Sequence, residues 1–432
     1  MNNLERVKKT FMHKKIDKVP FFELSLNNNV LKDVLNLEGA MPNASGLTRI
    51  ALFKNLFNNL DGRFHLERSE FNKKIGEFIL ESTKNLIELY KALNIEMIPF
   101  RPYDFLVAPF YRNYLGFSED INDINISIGK GTKGVIKWRI ENSKNFWAEY
   151  QYEEKQDTVF MINDCIREKG EAELLRFIKY SKEIISSINI KQNLHELKNS
   201  QFYNVIKYYE LVKECRDNTD FFSVGYASIP YPSNSTFHPL FLELMITKPS
   251  IIMEYFEVAM EEVLNLAKIQ IRSGINAIID VTDWCYNSGP MFSPDFTRKF
   301  ISPYLKKIVD LCHENNVSYI KHLDGNINSM LEILINEIGI DGLHAIEATA
   351  GVDIKEIKKK YGDRITLIGN VDCSKLLISG SKREIFKEVK DIIENISKGG
   401  GYILCSSNSI HNGIPTKNFL YMLEARKIYG NL

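Results

Sequence analysis

The chain has 432 residues, enough for one large α/β domain carrying insertions or for two domains. Its 55 lysines and arginines balance its 55 aspartates and glutamates, so no overall field draws it to nucleic acid or to an anionic membrane surface. The six cysteines (Cys165, Cys215, Cys285, Cys312, Cys373 and Cys405) form no Cys-x-x-Cys pair, which speaks against a zinc knuckle or a redox dithiol and for reduced thiols.

The opening "MNNLERVKKTFMHKK" has no signal-peptide core and reads as an amphipathic helix with Leu4, Val7 and Phe11 on one face. Nowhere does an apolar run reach the roughly 18 residues of a membrane span. A soluble, cytoplasmic protein is expected.

Eight β-rich runs follow in order: "KVPFFEL" (18–24), "IEMIPFR" (95–101), "FFSVGYASI" (221–229), "AIIDVTD" (277–283), "VSYIKHLD" (317–324), "GLHAIEAT" (342–349), "RITLIGNVD" (364–372) and "GYILCSSN" (401–408). Stretches of helical period separate them, such as "DFTRKFISPYLKKIVDLCHEN" after Ser293-Pro294, and "KREIFKEVKDIIENISKG", which starts near a serine and stops at a Gly-Gly-Gly run. Eight strands with crossover helices predict an α/β fold of the (β/α)8 TIM-barrel type. A doubly wound open sheet is the alternative, but no Gly-x-Gly-x-x-Gly follows any of these strands. Residues 112–216 exceed what one crossover needs, so a large insertion is expected between strands 2 and 3. It starts with a β-hairpin around "ISIGKGTKGVIKWRIE" and continues in charged helices around 166–215, forming either a lid over the barrel or a solvated decoration used in dimer contacts.

In such barrels the chemistry gathers at the carboxyl ends of the strands. Those ends carry Glu23, then Arg101 with Asp104, then Tyr226 and Ser228, then Asp280 and Asp283, then His322 and Asp324, Glu347, Asn370 with Asp372, and finally Ser406, Ser407 and Asn408. His322 and Asp324 stand two apart in one strand and so project to one side, with Glu347 ending the next strand. A histidine with two carboxylates suits zinc with open positions left for water or substrate, or, without metal, acid/base work. The bland reading of the pair is a strand end that bonds a neighbouring loop. His344, three residues before Glu347, is expected on the opposite face, in core or helix packing. Cys405 is expected to be a small core residue rather than a nucleophile. Asp283 heads the loop "DWCYNSGPMFSPDF" and is expected at the mouth.

The stretches "ERVKKTFMHKKIDKVPF", "DVTDWCYNSGPMFSPDFTRKFISPYLKKI", "HLDGNI", "GIDGLHAIEATAGVDIKEIKKKYGDRITLIGNVD" and "GGGYILCSSNSIHNGIPTKN" resemble the uroporphyrinogen decarboxylase superfamily, most densely over about 255–430. The resemblance implies one (β/α)8 barrel over 1–432, with residues 112–216 as an inserted subdomain. It also implies one of two chemistries, cofactor-free decarboxylation or zinc-dependent methyl transfer to or from a corrinoid protein. The decarboxylases carry an Arg-Gln-Ala-Gly-Arg-Tyr segment near the first strand. Here that region reads "FFELSLNNNVLKDVL", with no arginine to clamp a polyanionic porphyrinogen.

The methyltransferases have His-x-Cys after the fifth strand and a second cysteine after the eighth. His322 holds the histidine position, Glu347 a glutamate position, and Asp324 and Asn408 stand where the cysteines would be. An oxygen-rich site of this kind suits a Lewis-acid metal acting on a methoxy or methylamine compound. The leading expectation is therefore a methyltransferase with His322, Asp324 and Glu347 as metal ligands, these three and Asp283 as catalytic residues, and Asp104, Tyr226, Asp280, Asn370 and Asn408 binding substrate. The corrinoid would be carried by a separate protein, since the chain has no Asp-x-His-x-x-Gly motif, and family barrels often form homodimers. Two alternatives stand beside it. One is a uroporphyrinogen decarboxylase or a related decarboxylase, the latter acting on a less charged substrate contacted by Asp104 or Asp283. The other is a non-catalytic barrel anchoring a small molecule through Asp280, Asp283 and Asn408.

Overall fold

In a computed structural model, the residues described are 1–37, 62–100, 123–129, 135–142, 144–153, 158–187, 203–229 and 238–432. Their strands, in chain order, are β1 (Gly62–Glu67), β2 (Met97–Pro99), β3 (Asp123–Gly129), β4 (Val135–Asn142), β5 (Trp147–Glu153), β6 (Thr158–Asp164), β7 (Phe222–Tyr226), β8 (Ala277–Asp280), β9 (Cys285–Tyr286), β10 (Gly289–Pro290), β11 (Ser318–Leu323), β12 (Gly342–Ala345), β13 (Thr366–Val371) and β14 (Tyr402–Ser406). Seven form one parallel sheet in the order β14-β13-β12-β11-β8-β7-β2.

The first predicted strand has no long ladder of its own, yet it joins the two edges of that sheet. Leu404 N–H donates to Pro20 O (2.9 Å), Phe22 N–H to Leu404 O (3.0 Å) and Met97 N–H to Phe21 O (3.3 Å). The sheet thus curls on itself, consistent with a TIM-like barrel.

Alternation along these strands sorts the core into two layers. Phe22, Met97, Phe222, Val224, Ala277, Ile279, Ile320, Ile368, Ile403 and Cys405 form an interior cluster, and the helices pack on the outward-facing residues. The amphipathic opening segment is a helix, Asn3–Phe11, capped by Asn2, whose side chain accepts from Glu5 N–H. Its Leu4, Val7 and Phe11 pack on the interior cluster, and Phe11 stacks on Phe222 at 5.4 Å. One end of the interior is therefore plugged with apolar side chains.

The segment after Ser293-Pro294 forms two helices, Pro294–Phe300 and Ser302–Glu314, because Pro303 at the start of the second supplies no N–H to continue the first. Helix Lys382–Ile396 opens with a reciprocal capping box between Ser381 and Glu384.

A second sheet is antiparallel, in the order β1-β3-β4-β5-β6. It contains the expected hairpin (β3 and β4), two strands that the sequence did not disclose (β5 and β6), and an edge strand from residues 62–67. Helices Cys165–Lys169, Glu171–Ser187 and Tyr203–Asn218 follow it. Among the described residues no helix is long and apolar enough to cross a membrane.

Candidate functional site

Strand β11 carries Ile320 and His322 on its inner face and Lys321 on its outer face. Lys321 is wholly buried. Its ammonium donates to Thr282 O (2.6 Å) and His322 O (2.6 Å), pairs with Asp280 Oδ1 (3.2 Å) and lies over the Trp284 ring. Asp280 also accepts from Tyr319 Oη (3.2 Å), so its carboxylate is engaged between sheet and helices. A buried charge this well paired holds the ends of β8 and β11 at fixed spacing.

On the inner side, His322 is 4 % exposed, and its Nε2 lies 3.4 Å from Asp324 Oδ1 and 3.8 Å from Asp283 Oδ1. One ligand-type atom from each of Asp283, His322 and Asp324 falls within 4.8 Å of the others. Asp283 Oδ1 accepts the Asp324 backbone N–H (3.0 Å), which locks the two carboxyl-bearing turns together. Asn408, after β14, donates from Nδ2 to Asp324 Oδ2 at 2.7 Å. The other oxygen, Oδ1, is buried and has no hydrogen-bond partner. Burial first, then the neighbouring Asp283 and Glu347 carboxylates, push the Asp324 carboxyl up to about 8.

Glu347 borders the cluster. Its Oε2 accepts the Gly325 N–H at 2.7 Å, so Asp324 and Gly325 are held from both sides. Gly325 adopts φ 81°, and a Cβ there would lie 2.7 Å from Tyr286 O, so only glycine lets the β9–β10 hairpin approach this turn.

The remaining expected residues are distributed around this point. Tyr226 is buried, with its hydroxyl donating to Leu24 O (3.4 Å). Asn370 is buried at the end of β13, donating to Ile346 O (3.1 Å), and its Oδ1 is a second buried oxygen without a partner. Asp104 and Arg101 lie outside the described residues. The structure thus gathers Asp283, His322, Asp324, Glu347 and Asn408, while Asp280 is engaged by Lys321 and Tyr319 and Tyr226 lies in the interior cluster.

His344 is in the core as expected, but it faces the barrel interior. It is the register partner of His322, and the two Nδ1 atoms lie 2.7 Å apart. Counting back from Glu347 misses this because the backbone turns at Ile346 (φ 64°), which breaks the alternation. The signal available in the sequence was a second histidine at matching depth in the adjacent strand. Cys405 is fully buried, and burial pushes its thiol far above the usual range, which suits a core residue and not a nucleophile.

A parallel TIM-like α/β fold with its acidic and imidazole groups at the carboxyl ends of the strands has the layout in which such folds carry chemistry. More particularly, the chain belongs to the uroporphyrinogen decarboxylase (URO-D) family, whose model matches residues 182–429. "Uroporphyrinogen decarboxylase 2, chloroplastic" of Oryza sativa subsp. japonica is 26% identical over 187 residues, covering 43% of this chain and 45% of that protein. "Uroporphyrinogen decarboxylase" of Prochlorococcus marinus is 26% identical over 255 residues, covering 56% of this chain and 70% of that one. The chain thus matches about half the length of the first of these relatives. A methyltransferase from Methanosarcina mazei superposes with a TM-score of 0.60 and 18% identity over 99% of both chains, a likeness of fold. Members of the family are enzymes.

Proposed function

We propose that this chain is a metal-dependent methyltransferase that moves a methyl group between a small methylated substrate and a corrinoid carried by a separate protein. The observation that carries the reading is the cluster itself: His322 Nε2 faces Asp283 and Asp324, and Asp324 Oδ1 is buried and accepts no hydrogen bond. A nitrogen lone pair and carboxylate oxygens crowded within 4.8 Å repel one another unless a cation or proton lies between them, so the donor set fits zinc. His322, Asp324 and Asp283 would hold it, with Glu347 bordering the open side. Lewis-acid activation of the methyl-bearing heteroatom is the chemistry zinc supplies there.

The chain's own residues do the rest. Asn408 orients the Asp324 carboxyl through Oδ2 and leaves Oδ1 for the ligand. Gly325 brings the Glu347 carboxyl group beside the substrate position, where as the carboxylic acid it would give the leaving oxygen or nitrogen the proton it needs once the methyl group has gone. The apolar plug formed by the first helix closes the opposite end, so substrate and corrinoid protein both approach the mouth formed by the strand ends.

The decarboxylase reading draws on the named activity of the similar rice and Prochlorococcus proteins. Against it stands the first strand: it carries no arginine, and its Glu23 is buried against Ser406. A solution test separates the readings. Protein loaded with zinc is mixed with cob(I)alamin and a panel of methoxy and methylamine compounds, and the absorbance of methylcob(III)alamin is followed. Methylcobalamin formation that is lost in His322→Ala supports the proposal. Turnover of uroporphyrinogen without metal, or no reaction beside tight small-molecule binding, would replace it with the decarboxylase or the non-catalytic reading.

A further inference from the structure

Asn370 takes no part in holding the cation, yet its surroundings call for a ligand. It is 4 % exposed, its Nδ2 donates to Ile346 O at 3.1 Å, and its Oδ1 is buried and accepts no hydrogen bond. The donor end of the amide is committed to Ile346 O, so the oxygen end is fixed facing the other way. An unpaired buried acceptor is costly, and native structures carry few of them without a use. Strand register says where this one points. Asn370 pairs with Cys405 and Ile368 with Ile403, and those three neighbours all belong to the interior cluster, so Asn370 also faces inward. Through the pairs His322 with His344 and Leu343 with Leu367, Ile368 stands level with His322, and Asn370, two residues on, stands level with Asp324. Asn370 is thus at the mouth, two strands round the rim from the Asp324 carboxyl. Two inter-strand spacings set the backbones about 10 Å apart. With both side chains turned inward, the interval between them suits a molecule of a few heavy atoms.

The backbone is bent to hold this arrangement. Ile346, a β-branched residue, sits at φ 64°, where such side chains are rare, and its carbonyl is the one that receives the Asn370 amide. Gly369 lets β13 come close enough for that bond, since a Cβ there would lie 2.5 Å from Ala345 O. The polar groups described on this rim are acceptors. Asp283, Asp324 and Glu347 are carboxyl groups, Asn370 offers an oxygen, and the Asn408 amide donates to Asp324. Lys321, among the described strand ends, is turned to the outer side and paired with Asp280. Two carboxylate ligands neutralise a divalent cation, so among these residues no positive charge remains to compensate a substrate carboxylate. Such a carboxylate would also set its lone pairs against Asn370 Oδ1.

We infer that Asn370 is a specificity-determining residue, and that the substrate is a small methyl ether or methylamine carrying a second group that donates an N–H or O–H to Asn370 Oδ1, and no carboxylate. The inference rests on the methyl-transfer reading and narrows its substrates. The methylated heteroatom faces His322, Asp283 and Asp324, while the donor end faces Asn370. A hydroxyl or an ammonium group meets that need. An alkyl group in the same place would dry the buried oxygen without pairing it, which is how a site built around a hydrogen bond rejects an analogue that lacks the donor.

The test uses probes of similar size that share one methoxy group. In 2-methoxyethanol and 2-methoxyethylamine the other end donates, in 1-methoxypropane it does not, and in methoxyacetate it is a carboxylate. Binding is measured by saturation-transfer NMR titration of the metal-free and of the zinc-loaded protein. The two donor probes are expected to bind about 10–100-fold more tightly than the other two, the effect of leaving one buried acceptor unpaired. Asn370→Leu, of nearly the same shape but without the oxygen, should bring 1-methoxypropane level with 2-methoxyethanol. If that variant does not fold, the wild-type ranking decides alone. A donor preference that persists in Asn370→Leu overturns the inference. So does a wild type that ranks 1-methoxypropane or methoxyacetate with the donor probes, or that binds none of them. A second arm follows methylcob(III)alamin formation by the zinc-loaded protein. Donor-selective binding with no methyl transfer, from these probes or the wider panel, removes the methyltransferase reading and leaves the ligand class and the role of Asn370 standing. Methyl transfer equally fast from all of the probes keeps that reading and overturns the inference.

Discussion

Asp324→Asn should make the metal-free protein more stable in alkali while removing its affinity for zinc. An aspartate in the unfolded chain ionises near its ordinary 3.8, whereas burial and the facing carboxylates push the folded one up to about 8. Between those values the folded state keeps a proton that the unfolded state has lost, so stability falls as pH rises through this window and levels off above it. The displacement sets an upper bound of about 6 kcal/mol. The side chain is 31% exposed and titrates together with its neighbours, which reduces the expectation to about 1–3 kcal/mol at pH 9. Asparagine keeps the shape and can still accept from Asn408 through its side-chain oxygen, so the charge is what changes. The assay is urea unfolding at pH 5, 7 and 9 with a chelator present, beside a zinc titration of the folded protein. The variant should gain stability over wild type progressively from pH 5 to 9, and its zinc affinity should fall at least about 100-fold, in keeping with loss of a direct ligand. A variant less stable than wild type at pH 9, with the same pH slope, would refute the claim that this carboxylate is held in an environment hostile to its charge.

Other perturbations act on separate parts of the structure. Asp280→Ala leaves the buried Lys321 ammonium without its counter-ion, and should lower unfolding free energy by about 3–5 kcal/mol, read from the denaturant midpoint. Ser381→Ala removes one half of the capping box on helix Lys382–Ile396 and should cost about 0.5–2 kcal/mol in the same assay, with zinc affinity unchanged. Zinc affinity of the wild-type protein should rise with pH up to about 8, because a proton must leave Asp324 for Oδ1 to act as ligand, and this rise should be much shallower in Asp324→Asn. Gly325→Ala would force a Cβ against Tyr286 O and Cys285 O from a left-handed backbone, and should lower both stability and zinc binding.

Much of the parallel sheet was legible in the sequence because buried strands with polar ends announce themselves one at a time. Seven of the eight predicted runs contain the observed parallel strands, and the eighth, around Phe21, supplies the bridges between the edges. His322 and Asp324 were legible for the same reason, since alternation within one strand fixes their side. The pairing of His322 with His344 was not, because it depends on the register between β11 and β12, and the turn at Ile346 defeats counting from Glu347. Strands β5 and β6 were missed although a signal was there: "WAEYQYE" alternates, and Trp147, Ala148, Tyr150 and Tyr152 of β5 and Met161 of β6 are buried in the main core. The engagement of Asp280 by Lys321 was equally hidden: a strand-end aspartate looks the same in sequence whether it faces the mouth or the outer layer.

At the mouth of the sheet Asp283, His322 and Asp324 are proposed to grip one cation. The most direct test is elemental analysis of the purified protein, with isothermal titration of the chelator-stripped protein with zinc, for wild type and His322→Ala side by side. About one zinc per chain is expected in the wild type and none retained by the variant, as a site with three protein ligands and an open position requires. Wild-type protein that neither carries nor takes up zinc, or a variant that binds it as tightly, would show that these three side chains do not form a cation site.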